Sequence, residues 1–454
     1  MWNLFILIVE FIALSIVIYG LVKQRSKYQK LEETLLYDSF SGMANENYII
    51  EKFVNRDKTY IVLNPKGKQE LMRVNGQKTV DLYLYAIAQK IDILRDFNGC
   101  KIYKYKNLGF VLEIKGKLND IEIREAITAI ENALKEEVVI LGNKNKIKFF
   151  VTIFYCDKRY TVYEVVSRIE AGFDLNRFKN EDKEYTLLDK EEYESYESLM
   201  KYEKELFSLD IDVAMLPFYQ FKYDIKSNRV IGVEALARVK HPRLGIIKPD
   251  SFIKYFEEIK QIDRIDLAIF NKACMDFSEW KRRDIVDQNF RISVNFSIYT
   301  IECVDIEAEF KRVVNEFGLR YNLIDLEITE TLKAKNLNIV SEKLHRLSKL
   351  GVIISLDDFF SGHSNFEKIS MLPINNLKLD KAFLEENFNK KNTDLIKSIK
   401  KFTEHNNLNL IVEGVETQRQ LDFLRDIGVS FVQGYYYSKP LSKESLENEL
   451  KLKK

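Results

Sequence analysis

Residues 324–358 decide the fold; they read IDLEITETLKAKNLNIVSEKLHRLSKLGVIISLDD. The runs Ile324–Thr329 and Val352–Leu356 are short, apolar and rich in β-branched residues, which favours buried strands. Between them, Lys335–Leu350 has the periodicity of an amphipathic helix. A strand–helix–strand unit of this kind predicts two neighbouring parallel strands.

The same alternation continues on both sides of this stretch, over about 240 residues. Further helices are predicted at Ile306–Phe317 and Asp394–His405. A domain of this size and pattern predicts an α/β fold, a (β/α)8-type barrel. A doubly wound open sheet would show the same alternation, but no GxGxxG motif follows its first strand. The remaining predicted strands are Val230–Leu236, Arg291–Phe296, Asn376–Leu379, Leu408–Val412 and Phe431–Gln433.

The chain of 454 residues is too long for one ordinary core, so several folded units are expected. We predict a helical connector at residues 23–36, an α+β domain at 37–190, a charged helical linker at 191–210 and the barrel at 211–450. The strand candidates of the α+β domain are Tyr60–Leu63, Phe110–Ile114 and Phe149–Tyr155.

Residues 1–22 predict a single transmembrane anchor. The segment 2–22 is almost entirely apolar, and about 20 such residues span a bilayer as a helix. Basic residues follow it at positions 23, 25, 27 and 30 and none precedes it, which places the rest of the chain in the cytoplasm. A cleaved signal peptide is the alternative, but it requires a basic start and a small-residue cleavage site. The expected location is therefore the inner, cytoplasmic membrane, with the lipid bilayer as a partner.

The composition excludes several classes of protein. Hydrophobic residues make up 46% of the chain and charged residues 31%, which is typical of a globular protein. Lys plus Arg (70) and Asp plus Glu (69) balance, so we expect no nucleic acid polymer as a partner. The four cysteines form no CxxC pair and indicate reduced thiols, with neither a disulfide framework nor a zinc site.

Polar side chains stand near the carboxyl ends of the predicted barrel strands. Successive members lie 32 residues apart (Asn295 to Glu327) and 30 apart (Glu327 to Asp357), which is about one strand–helix unit each. They should therefore converge on one rim of the barrel. The full set is Glu234, Asn295, Glu327, Asp357, Asp358, Lys378, Glu413 and Gln433.

This set predicts a divalent metal site. Several carboxylates cannot share a partly dry pocket as bare anions, because their repulsion requires protons or cations to neutralise them. Oxygen ligands without histidine favour Mg²⁺ or Mn²⁺ over zinc, and two such ions would activate water against a phosphate ester. Lys378 beside them should have a lowered pKa and assist the water. Any single acid is more often a surface residue or, as at Asp358 and Glu416, a helix cap, but the repetition argues against that reading.

The same segments resemble the EAL-domain family of cyclic di-GMP phosphodiesterases. The signature EALAR stands at residues 234–238, and YQ at 219–220 is similar to the start of that domain. The segments SVNFS, LEITET, LDDF, LPINNLKLD, EGVETQRQL and QGYYYSKPL follow in order, so the resemblance covers residues 211–446. It implies a modified barrel, a homodimer formed through this domain, and hydrolysis of cyclic di-GMP to linear pGpG.

The resemblance also assigns roles to individual residues. It implies metal binding by Glu234, Asn295, Glu327, Asp357, Asp358 and Glu413. It places Lys378 and Gln433 with Glu234 and Glu413 in the catalytic set. Nucleotide contacts would come from Gln220, Leu236, Arg238 and Asp380, and Glu330 and Glu416 would hold the loop that follows Asp358.

One loop departs from the family pattern. After the paired aspartates the family usually has DDFGTGYSS, whereas this chain has DDFFSGHSN at 357–365. Phe360 replaces a glycine, whose backbone freedom it lacks, and His363 replaces an aromatic hydroxyl. The loop that couples dimer contacts to metal binding is therefore altered. This leaves open a non-catalytic, membrane-bound receptor for cyclic di-GMP, or a scaffold acting by protein contacts alone.

The preceding domain resembles a degenerate GGDEF domain. YDSFSGMANENY at 37–48 is similar to its opening, but the signature position reads KNLGF at 106–110. Asn64 stands where the family has a metal-binding Asp, and Met72 where it has the guanine-reading Asn. The resemblance therefore implies a structural or regulatory module without cyclase activity.

Overall fold

The computed structural model describes residues 19–27, 30–175, 184–329, 337–359, 371–384 and 390–452. The chain divides into two compact units, Met1–Tyr202 and Glu203–Lys454. Within the described ranges, no helix combines the length and apolar character needed to cross a bilayer. The first 18 residues of the predicted anchor lie outside those ranges.

The first unit is built on a five-stranded sheet with the strand order β2-β3-β1-β6-β7. Three of these strands, β1, β3 and β6, lie where the sequence predicts strands. The seven strands of the unit are β1 Lys58–Pro65, β2 Lys101–Tyr105, β3 Gly109–Lys115, β4 Val138–Ile140, β5 Asn143–Asn145, β6 Phe149–Cys156 and β7 Thr186–Leu187. Its helices are Glu46–Glu51, Lys68–Asn75, Gln77–Ile91, Asp120–Leu134 and Val162–Asp174, and the helix Lys190–Phe207 begins in this unit and ends in the next.

Apolar side chains cover both faces of this sheet. Along β1, Ile61 packs into one buried cluster with the helices Gln77–Ile91 and Asp120–Leu134. Tyr60 and Val62 point to the opposite face and pack into a second cluster with Val162–Asp174. This period-2 alternation is what a strand covered on both faces requires.

The second unit is a closed eight-stranded barrel. Its strands pair in the order β9-β11-β12-β13-β14-β15-β16-β8, and β8 pairs with β9 to close the ring; β10 extends the sheet as a hairpin on β9. The strands are β8 Met215–Asp224, β9 Arg229–His241, β10 Gly245–Ile247, β11 Arg291–Phe296, β12 Ile324–Thr329, β13 Ile353–Phe359, β14 Asn376–Leu379, β15 Asn409–Val412 and β16 Phe431–Val432. The predicted (β/α)8-type barrel is confirmed.

The strand β8 corrects the expectation of an all-parallel sheet. It runs antiparallel to both of its neighbours, β9 and β16. The reason is the short connection at residues 225–228, which can join only antiparallel strands. No strand was predicted at Met215–Asp224, because this segment is not followed by a helix, as the predicted strands are.

Alternation along each barrel strand separates the apolar shell from a polar interior. On β12, Ile324, Leu326 and Ile328 are buried under helices, while Asp325 and Glu327 point inward. The helices of this unit are Ile211–Ala214, Ile253–Glu258, Ile262–Arg282, Ile298–Cys303, Ile306–Glu316, Leu337–Leu350, Lys390–His405, Gln418–Asp426 and Lys443–Leu452.

Candidate active site

The polar side chains predicted at the strand ends do converge inside one end of the barrel. Each comes from a different strand or from the residue just after it. Glu234 lies on β9, Asn295 on β11, Glu327 on β12, Asp357 on β13 and Lys378 on β14, while Glu413 follows β15 and Gln433 follows β16. The parallel register brings neighbouring members side by side, as in the pair Asn295–Glu327.

Lys378 lies at the centre of the group, and its side chain is fully buried. Its Nζ is 2.6 Å from Glu327 Oε2, 3.0 Å from Asp357 Oδ2, 2.6 Å from Glu413 Oε1 and 3.6 Å from Glu234 Oε2. One ammonium group thus contacts carboxylates from four different strands. Lys378 was predicted to belong to the site, but its position at the centre was not predicted.

A chain of amides continues the network from Glu234. The Nδ2 of Asn295 donates to Glu234 Oε1 at 2.6 Å, and Nε2 of Gln433 donates to Glu234 Oε2 at 2.7 Å and to Gln220 Oε1 at 3.0 Å. The Oε1 of Gln433 is buried and has no partner among the described residues. A buried acceptor without a donor is costly, so this oxygen indicates a place for a ligand or water.

The donor set fits divalent cations. Glu234, Glu327 and Asp357 each offer a carboxylate oxygen within 4.8 Å of the others. Among the side chains that the structure describes, Asp325 and Glu413 bring the buried or half-buried carboxylates of this site to five, against two ammonium groups, those of Lys222 and Lys378. A formal charge of −3 in a low-dielectric interior calls for added positive charge. Carboxylate and amide oxygens are the ligands that Mg²⁺ and Mn²⁺ prefer.

The pKa values of the site reflect the same excess of carboxylates over ammonium groups. Burial raises the pKa of Glu234, and it raises that of Glu413 to about 8 even though Lys378 is near. Burial also acts to raise the pKa of Glu327, but Lys222 and Lys378 outweigh it and lower the pKa to about 2. For Lys378 burial alone would lower the pKa, but the surrounding carboxylates raise it well above its usual range. Because only protein groups surround Lys378 here, the lowered pKa expected for it beside bound cations stays a prediction.

Residues 211–440, slightly more than half of the chain, match the family model described as the EAL domain. The chain belongs to the EAL domain family. Its EAL domain is similar to the cyclic di-GMP phosphodiesterase NbdA of Pseudomonas aeruginosa, with 30% identity over 253 residues, which is 56% of this chain and 32% of that protein. An uncharacterised protein of Synechocystis is 26% identical over 94% of this chain and 63% of its own length. The chain thus spans less than two thirds of the length of these relatives.

Two solved structures have a similar fold. The PaMucR phosphodiesterase in complex with c-di-GMP superposes with a TM-score of 0.50 at 28% identity, over 55% of this chain and 99% of that one. The S helix-GGDEF-EAL structure of Vibrio cholerae LapD has a TM-score of 0.50 at 15% identity, over 91% of this chain and 99% of that one. The second likeness concerns the fold alone.

The predicted nucleotide-binding residues of the EAL domain occupy three places. Leu236 and Arg238 lie on the same face of β9 as Glu234, and the Arg238 guanidinium stands 5.4 Å from the centre of the Phe218 ring. Gln220 lies beside Glu234 on β8, where its Nε2 donates to Ser438 O at 2.9 Å. Asp380 follows β14 and accepts from the backbone N–H of Ala382 at 2.7 Å, so its visible contact is a helix cap.

The loop-holding residues of the EAL domain lie mostly outside the described ranges. Glu330 and residues 360–366 are not described, and of Asp358 only the backbone, within β13, is described. Glu416 is exposed, and the cap of the following helix is Thr417 rather than Glu416. The helix-cap alternative for Glu416 is therefore wrong, and its loop-holding role stays a prediction.

Lys222, which is buried inside the EAL domain, was not predicted from the sequence. Its ammonium contacts Glu327 Oε1, lies 2.6 Å from Ser293 Oγ and 3.4 Å from Asp325 Oδ2. The sequence did indicate a second polar level inside the barrel. Ser293, Asp325 and Ser355 each stand two positions before a residue of the site, which puts them on the same inward face of their strands.

Proposed function

We propose that the EAL domain hydrolyses cyclic di-GMP to linear pGpG with two bound divalent cations, Mg²⁺ or Mn²⁺. The observation that carries this proposal is the cluster around Lys378, where four carboxylates from separate strands meet one ammonium group. The names of two similar proteins support the substrate: NbdA is a cyclic di-GMP phosphodiesterase and PaMucR is a phosphodiesterase in complex with c-di-GMP.

The chain's own residues would divide the work of the reaction. Bound cations would supply Lewis acidity and a more acidic water. The side chains that would hold them are Glu234, Asn295, Glu327, Asp357, Asp358 and Glu413. In the reaction the water oxygen forms a bond to phosphorus and one ester oxygen leaves; the water gives up a proton and the leaving oxygen gains one.

We propose that Lys378 and Gln433 orient the water. The Lys378 ammonium is buried and lies 2.6 Å from both Glu327 Oε2 and Glu413 Oε1, so a water held among these carboxylates would lie beside it. The unpartnered Gln433 Oε1 can accept a hydrogen bond from the water while its Nε2 stays fixed on Glu234. We infer that these two contacts align the water before its proton is lost.

The nucleotide would lie at the mouth of the barrel. Arg238 offers a cation for a phosphate or guanine group, Leu236 on the same face of β9 offers an apolar contact, and Gln220 lies beside the metal ligands. Asp380, which follows the strand of Lys378, is proposed as a fourth nucleotide contact. Glu330 and Glu416 are proposed to hold the loop after Asp358.

The first unit is proposed to be a degenerate GGDEF domain with a structural or regulatory role. Asn64, at the position of a family metal ligand, donates to Phe173 O at 3.0 Å and accepts from Lys68 Nζ at 2.8 Å. A lysine ammonium beside Asn64 disfavours a metal ion there by charge repulsion. Residues 1–22 are proposed to anchor the chain in the inner membrane, and the EAL domain to form the homodimer.

The test is product analysis of the full chain, purified in detergent and incubated with cyclic di-GMP in Mn²⁺ or in EDTA. Metal-dependent pGpG supports the enzyme. Binding without product would instead support a receptor, and neither would support a scaffold. Glu234→Ala and the isosteric Glu234→Gln should both abolish hydrolysis, because both variants lack the negatively charged carboxylate that would bind the metal. The control Glu309→Ala changes a half-buried carboxylate that pairs with Arg312 on the helix Ile306–Glu316, and it should leave the rate unchanged.

A further inference from the structure

A second polar layer lies in the barrel, below the metal ligands and Lys378. It is formed by Ser293 on β11, Asp325 on β12, Ser355 on β13, Asn376 on β14 and Asn409 on β15. Hydrogen bonds join its members across the strands: Ser293 Oγ and Ser355 Oγ donate to Asp325 at 3.1 and 2.5 Å, Asn376 Nδ2 donates to Ser355 Oγ at 2.9 Å, and Asn409 Nδ2 to Asn376 Oδ1 at 2.9 Å. We call this set the lower layer.

Lys222 connects the lower layer to the metal ligands. Its Nζ contacts Ser293 and Asp325 in the lower layer, and Oε1 of Glu327 in the layer above. The other oxygen, Glu327 Oε2, accepts from Lys378 at 2.6 Å. The two lysines therefore hold the two oxygens of one fully buried carboxylate.

The position of Lys222 follows from the repulsion between two acids. Asp325 and Glu327 are two residues apart on β12, so both point inward and lie about 6–7 Å apart along the strand. Both are buried, and in a low-dielectric interior their charges would repel strongly. The Lys222 ammonium lies between them, and its side chain is only 6% exposed.

We propose that Lys222 is a positioning residue of the metal centre. It would fix the orientation of the Glu327 carboxylate, which would hold a cation, and Asp325 with Ser293 fixes the ammonium in turn. This inference rests on the proposed function, because it takes Glu327 to be a metal ligand. Residues that orient metal ligands in this way typically change metal affinity or activity about 10–100-fold when they are lost.

The competing explanation is that Lys222 only neutralises Asp325. Lys222→Met alone does not separate the two explanations, because it leaves Asp325 buried and uncompensated and also makes the site more attractive to cations. The double variant Lys222→Met/Asp325→Asn does separate them. It removes one positive and one negative charge, so the formal charge of the interior is unchanged while Glu327 loses its partner.

The experiment measures Mn²⁺ binding by titration calorimetry, thermal unfolding, and pGpG formation, all on the full chain. We expect Lys222→Met to unfold at a lower temperature than the wild type. We expect the double variant to recover that temperature but to bind Mn²⁺ about 10-fold or more weakly and to lose kcat about 10–100-fold with little change in KM. The control Lys272→Met removes a partly buried lysine that donates to Met215 O outside the metal site, and should match the wild type.

Each outcome decides the proposal. If the double variant binds Mn²⁺ and turns over within about twofold of the wild type, Lys222 only balances Asp325 and the proposal is wrong. If it unfolds like the wild type but binds Mn²⁺ weakly, the positioning role is supported. A wild-type chain that binds Mn²⁺ without forming product would refute the proposed hydrolysis. The Mn²⁺ affinities of the wild type and the double variant would then still decide whether Lys222 is a positioning residue. A wild-type chain that binds no Mn²⁺ would overturn both.

Discussion

Replacing Lys378 by Met should reveal how strongly its ammonium stabilises the EAL domain. Met has similar length but no charge, so the five carboxylates of the interior would face Lys222 alone and the formal charge would change from −3 to −4. Breaking a buried ion pair costs about 3–5 kcal/mol. We expect the lower end, because Glu413, with its pKa raised to about 8, is already largely protonated at neutral pH and loses little when the ammonium is removed. At about 2–4 °C per kcal/mol, the unfolding temperature in EDTA should fall by about 6–12 °C.

Metal ions should reverse part of this loss. Lys378 contacts the same carboxylates that would hold the cations, so its removal frees oxygens for metal binding. A ligand at 100 times its dissociation constant stabilises a protein by about 2.7 kcal/mol. Mn²⁺ should therefore raise the unfolding temperature of Lys378→Met more than that of the wild type. Hydrolysis should still be lost, because the water would lack its ammonium donor.

The assay is thermal unfolding followed by near-UV circular dichroism, in EDTA and in Mn²⁺, at neutral pH. Lys272→Met serves as the control, since this lysine lies outside the interior. Equal unfolding temperatures of Lys378→Met and wild type in EDTA would refute the charge argument. Equal shifts with Mn²⁺ would show that Lys378 and the metal do not share carboxylates.

Two further predictions concern the walls of the site. Burial raises the pKa of Asp266, which accepts from Thr300 Oγ at 2.6 Å, to about 6. The folded state then keeps this proton longer than the unfolded state, so about 2–3 kcal/mol is lost as pH rises from about 4 to 6. The unfolding temperature of Asp266→Asn relative to the wild type should rise over that range and then level off; a constant difference would contradict the assignment. Gly434→Ala places a Cβ 2.1 Å from Val415 O, so we expect a lower unfolding temperature and slower pGpG formation, and unchanged values would contradict this close approach.

The sequence predicted the barrel strands well where an apolar run is followed by an amphipathic helix. Arg291–Phe296, Ile324–Thr329 and Asn376–Leu379 lie at their predicted positions. The strand β8 was missed because it is followed by a turn and a second strand instead of a helix. Periodicity reports the local pattern, and the antiparallel closure of the ring depends on pairing between distant segments.

The candidate site was predictable as a set of residues but not as a network. The spacing of Asn295, Glu327 and Asp357 placed them on one rim, because each unit repeats the same strand–helix length. That Lys378 would contact four carboxylates depends on how far its side chain reaches across the barrel. Lys222 could not be found from strand-end spacing, since its strand was itself missed.

Closure of the barrel has a consequence for how the chain folds during synthesis. The backbone of Tyr219 exchanges hydrogen bonds with Leu441 at 2.7 and 2.8 Å, and the side chains of Gln220 and Gln433 meet across 213 residues. Such distant contacts are slow to form, because the intervening chain must be ordered first. On the ribosome, β8 can pair with β9 as soon as both have emerged, but its other edge must stay open until β16 has been made.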